Sequence, residues 1–132
     1  MNKIKSENTL PKPPDISIDA AVVLKIAEHY CHARAKHPHF ADRMFFDEYD
    51  AEWAKRDLAR IRRLLDIQRK QDKVHAETLA NCEVAEASEA FASGDKAAAV
   101  EECYDAIAVL LRMVDVLEGR QELGKPNKGA KE

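Results

Sequence analysis

The sequence predicts an all-α protein: a bundle of three to four helices that contains an antiparallel acidic hairpin. Three observations carry this. Apolar residues recur at spacings of three and four along most of the chain. The stretch 47–91 holds neither Gly nor Pro, and Ser93-Gly94-Asp95 then supplies a stop and a restart. Hydrophobic residues make up 45% and charged residues 34%, with Ala, Glu, Lys and Arg prominent, which favours helix over strand.

Residues 1–16 are polar and carry Pro11, Pro13 and Pro14, so they are expected to form a flexible tail. An all-α domain is expected over 17–119. Its first helix starts at Ser17 or Asp19 as cap, runs through Ile18, Val22, Val23, Ile26 and Tyr30, and ends before Pro38. A loop over 36–42 follows. The helical stretch 47–91 is long for one globular helix, so a break is expected between Gln68 and Lys73. Gly94 then closes a helix, Asp95 caps the next, and that helix runs from Lys96 to Leu117 and stops at Gly119. Residues 120–132, with Gly124, Pro126 and Gly129, are expected to form a second flexible tail. Three or four helices with this much apolar surface are too few to close a core alone, which predicts a homodimer or a dimer of dimers.

Composition excludes several classes of function. A net charge of -3 gives no general attraction to nucleic acid or anionic membrane. No run of about 18 apolar residues is present, so no membrane span is expected, and the N-terminus lacks the apolar run of a signal peptide. Cys31, Cys82 and Cys103 form no C-x-x-C pair, which argues against a zinc ribbon or a disulfide scaffold and points to the cytoplasm.

Two acidic signatures flank Gly94: Glu83-Val84-Ala85-Glu86 and Glu102-Cys103-Tyr104-Asp105. Residues three apart on a helix share a face, with Cβ atoms roughly 5–6 Å apart, so each pair can aim two carboxylates at one point. With roughly 100° per residue, Glu83 falls inside the apolar stripe of its helix, between Leu79 and Ala90 on one side and Ala87 on the other. Glu86 falls at the edge of that stripe. Glu102 lies among Ala98, Ala106, Val109 and Met113, and Asp105 falls near Val116. Ionised carboxylates on core-facing stripes need compensation. Two such pairs across a short turn are compensated most simply by a shared divalent cation, and oxygen-only ligands favour magnesium, or manganese, over zinc. The plain alternative is a solvated acidic face.

The stretch from Cys82 to Ile107, CEVAEASEAFASGDKAAAVEECYDAI, resembles the signature of the MazG-like nucleotide pyrophosphohydrolases: an E-E-x-x-E helix, a Gly-Asp turn and an E-x-x-D helix. With its flanks, Thr78 to Glu118, the likeness covers about a third of the chain. It implies an α-helical enzyme in which Glu83, Glu86, Glu102 and Asp105 bind magnesium. The implied reaction is hydrolysis of a nucleoside triphosphate to the monophosphate and pyrophosphate. Within that chemistry Glu86 is the expected general base. Cys82 stands where the signature has its first acid; lying about 100° from Glu83, towards the polar arc, it is expected to matter less.

Three further features bear on the site. Eight basic residues, Lys55, Arg56, Arg60, Arg62, Arg63, Arg69, Lys70 and Lys73, crowd 55–73. Such a run is usually a solvated helix face, and functionally it could hold phosphates or nucleic acid. The resemblance implies a substrate between the acidic hairpin and the preceding helix, which selects Lys70 and Lys73. The His37-Pro38-His39-Phe40 loop resembles an H-P-x-F segment of the same family, which implies a place for His37 beside substrate; the plain alternative is a structural turn. Phe45, Phe46 and Trp53 are expected in the core rather than against a base. Two rivals remain. A ferritin-like di-metal bundle wants E-x-x-H twice, and the chain offers Asp72-Lys73-Val74-His75. A non-catalytic helical interaction or nucleic-acid-binding module would carry the acids as a relic.

Overall fold

The computed structural model describes residues 18–124; the expected tail over 1–16, residues 125–132 of the tail expected over 120–132, and the alternative cap Ser17 lie outside the described residues. Four α-helices and no strand occur among the described residues: α1 Ala20–Lys36, α2 Ala51–Lys70, α3 Ala76–Ala92 and α4 Lys96–Leu117. The described residues divide into two compact units, one of residues 18–40 with Gly124 and one of residues 41–123. No helix of the described residues is long and apolar enough to cross a membrane.

In the first unit, Asp19 caps α1 by accepting a hydrogen bond from the Ala21 N–H at 2.8 Å. Arg34 and Lys36 close its last turn, where cations complement the helix dipole. His37 is the C-cap, its N–H donating to the Ala33 carbonyl, and Pro38 follows. Val22 is buried, while Ile18, Val23, Leu24, Ile26 and Tyr30 are exposed.

The second unit opens with a loop tied by its own side chains. Glu48 Oε1 accepts from the Met44 and Phe45 N–H groups at 2.8 and 3.1 Å, and the Phe45 ring packs 5.6 Å from that of Phe91. Asp50 then caps α2, so this helix begins four residues later than the apolar pattern suggests. Phe46 and Trp53, expected in the core, are exposed; Arg56 lies over the Trp53 ring.

The break in the long helical stretch falls at 71–75. Gln68 makes it: its carbonyl accepts from Lys73 N and its side-chain oxygen accepts from His75 N, while Asp72 takes φ +52. Asp tolerates that left-handed conformation better than most residues, so neither Gly nor Pro was needed. Asp72 and His75 thus sit in a turn, not on a helix face, which removes the ligand pair of a ferritin-like site. The second turn uses Gly94 at φ +87, and Asp95 caps α4 through the Ala98 N–H.

Helix α3 is the middle element, packed against both α2 and α4. Leu58 and Leu65 of α2 meet Cys82 of α3, with Ile61, Leu79 and Ala85 around them. Between α3 and α4 the buried residues are alanines: Ala87 and Ala90 on one helix, Ala99 and Ala106 on the other. Small side chains let two helices approach closely. At roughly 100° per residue these alanines share the faces of Glu83 and Glu102. The opposite face of α3 carries Asn81, Ala85 and Ser88 and borders an apolar groove with Phe45, Ile61 and Leu64. At the far end, Arg120 pairs with Asp115 at 3.0 Å and with Glu118 at 2.7 Å, and Gln121 is buried. Residues 120 and 121 are therefore fastened to α4, where the sequence suggests the start of a loose tail.

Candidate metal centre

The turn at Gly94 sets the register of the acids. Glu86 lies eight residues before it and Glu102 eight after; Glu83 lies eleven before and Asp105 eleven after. In an antiparallel hairpin, equal distances from the turn place residues side by side. The alanine interface then decides how close they come.

One carboxylate oxygen from each of Glu83, Glu86 and Glu102 lies within 4.8 Å of the other two. All three side chains are half-buried. At that spacing each ionised pair repels by on the order of 3 kcal/mol for an effective dielectric near 20. Glu102 Oε2 is buried and finds no hydrogen-bond partner among the described residues. A proton on Glu83 eases the repulsion and lets the two side chains share a hydrogen bond. The Glu83 carboxyl is accordingly pushed up to about 7. Burial is the main cause, followed by the hydrogen bond to Glu102 and the negative charges of Glu86, Asp105 and Glu102. Asp105 is exposed and stands outside the trio, but its charge is felt at Glu83.

Glu86 is held from two sides. The Cys82 thiol donates to its Oε1 at 3.5 Å, and the Arg62 guanidinium of α2 lies 3.4 Å from its Oε2. Cys82 is 5% exposed and belongs to the α2–α3 core, so its expected place on the polar arc is corrected. Angular position on an isolated helix cannot say which side the next helix will cover. Burial, then the bond to Glu86 and the nearby carboxylates, push the Cys82 thiol up, which keeps it a neutral donor rather than a nucleophile.

Arg62 was not singled out from the sequence. The α2–α3 turn, 71–75, is centred on residue 73, with Arg62 eleven residues before it and Glu86 thirteen after. Lys70 is only three before, and Lys73 is in the turn itself; both are exposed. They stand beside the start of α3, about 12 Å of helix or more from Arg62. The rest of the basic run is largely a solvated face: Lys55 pairs with Glu52, Arg60 with Asp57 and Arg69 with Asp66, each three residues apart. His37 belongs to the other unit, as the C-cap of α1.

Three half-buried carboxylates, one carrying a buried oxygen without a partner, suit a hard divalent cation. Oxygen donors match magnesium, with manganese a close substitute. No protein-family model, curated protein or solved structure matches the chain.

Proposed function

We propose that the chain is a magnesium-dependent nucleoside triphosphate pyrophosphohydrolase of the MazG-like kind. The observation that carries the reading is the convergence of Glu83, Glu86 and Glu102 within 4.8 Å around a buried, unpartnered Glu102 oxygen. A cation there would be held by these three residues with Asp105, and Glu83 would release its proton to solvent on becoming a ligand. When bound, the cation supplies charge neutralisation at the phosphate oxygens. Glu86 takes the proton of the attacking water as it adds at the α-phosphorus, and pyrophosphate leaves. The Cys82 thiol fixes Glu86 for that task through Oε1.

The same reading takes the protein as a cytoplasmic homodimer or dimer of dimers. No large side chain of the described residues is fully buried, and Tyr104, Leu110 and Leu117 on α4 are exposed. A second copy would cover such surface. The decisive experiment is a panel of nucleoside triphosphates with magnesium, scored for pyrophosphate and monophosphate. Turnover of at least one member, lost on chelation, is the expected result. No turnover of any member would leave the non-catalytic module as the better reading.

A further inference from the structure

The carboxylate site has a charge problem that a cation alone does not solve. Four ionised acids and one divalent ion leave a net charge of about two negatives, and a triphosphate brings roughly four more. A cationic side chain must stand at the rim. Among the eight basic residues of 55–73, Arg62 is placed there, 3.4 Å from Glu86 Oε2.

We propose that Arg62 is a phosphate-binding residue of this site. Paired with Glu86 in the cation-free protein, it releases that carboxylate when the cation binds and takes an oxygen of the triphosphate. This rests on the reading given above for the carboxylates. Three features support it. The Arg62 side chain is 56% exposed, so it is free to turn towards a ligand on the solvent side of the acids. An ion pair whose cation is largely solvated is modest in strength, so its release is compensated by a new partner, and a guanidinium fork matches two phosphate oxygens better than one carboxylate oxygen. Glu86 also keeps its orientation when Arg62 leaves, because Cys82 holds its other oxygen. Arg62 and the cation thus compete for Glu86 but cooperate on the triphosphate.

The test uses the full chain and two probes, magnesium alone and inorganic tripolyphosphate at constant excess magnesium. Arg62→Ala, Arg62→Lys and, as a control of equal charge, the exposed α4 residue changed in Arg112→Ala are compared with the wild type. Thermal shift reads the magnesium midpoint and calorimetry reads tripolyphosphate affinity. Arg62→Ala is expected to weaken tripolyphosphate about tenfold or more, as for a lost charge-assisted hydrogen bond. Its magnesium midpoint should be unchanged or lower, since a competitor for Glu86 is gone. Arg62→Lys should lose less, and Arg112→Ala should match the wild type. Unchanged tripolyphosphate binding in Arg62→Ala would overturn the inference. So would an equal loss of magnesium binding, which would make Arg62 a mere prop for Glu86, or a wild type that binds no tripolyphosphate. The nucleotide panel separates the two levels. Wild-type turnover with an indifferent Arg62→Ala sinks only the role of Arg62, whereas no turnover sinks the enzyme.

Discussion

Raising the pH of the cation-free protein from 5 to 8 should destabilise it, and Glu83→Gln should remove that effect. The Glu83 carboxyl titrates at about 7 in the folded chain against 4.5 ordinarily. The folded state therefore keeps a proton that the unfolded chain has already lost. Stability from this proton is fully present below pH 4.5 and is lost as pH rises through 7. At about 1.36 kcal/mol per unit the loss is at most roughly 3 kcal/mol, and partial exposure of the site reduces it to about 1–2 kcal/mol. For a folded unit of this size that is a fall in Tm of roughly 5–10 °C. The assay is thermal denaturation by circular dichroism in chelator across that pH range, then at pH 8 with magnesium. Magnesium at ten times its Kd should restore about 1.4 kcal/mol. Glu83→Gln cannot ionise, so its Tm should change less with pH and should equal or exceed the wild type at pH 8 without metal. Parallel pH curves for wild type and variant would refute the argument that carboxylate repulsion sits at Glu83.

Other outcomes follow from the same geometry. Glu83→Gln and Glu102→Gln should each abolish hydrolysis while far-ultraviolet circular dichroism stays helical; wild-type turnover in either would sink the assignment. Gly94→Ala meets no neighbour within 4 Å but stands at φ +87, so strain alone should cost about 1–2 kcal/mol and weaken magnesium binding, read by denaturant titration and thermal shift. Truncation after Leu123 should leave Tm and turnover intact, whereas truncation after Leu117 removes the ion pairs of Arg120 and should lower Tm.

Much of the fold is written in local chemistry. Asp19, Asp95 and Gly94 mark ends and starts because a carboxylate that accepts backbone N–H groups, or a residue free to take positive φ, is needed at those points. The same signals located α4 from Lys96 to Leu117. The turn at 71–75 is foreseen only as a break somewhere between 68 and 73. Its maker is the Gln68 side chain reaching seven residues ahead, which no spacing rule detects. Trp53 and Phe46 show the other limit: aromatic character does not say which face a single packed layer will cover.

The candidate site divides along the same line. Glu83, Glu86 and Glu102 were legible because one turn, marked by Gly94, sets their register, and alanines at 87, 90, 99 and 106 set their separation. Asp105, equally in register and opposite Glu83, ends outside the trio because its side chain reaches solvent, though its charge still acts on Glu83. Arg62 depends on the other turn. Without the location of 71–75, nearness in sequence to the acidic helix points to Lys70 and Lys73. In a hairpin those nearest the turn meet the start of the next helix, and a residue three turns of helix before it meets one about as far after. Glu86 therefore finds Arg62. The acids belong to the α3–α4 hairpin and their counter-charge to the α2–α3 hairpin, so α3 alone, built into both, brings the two charges together.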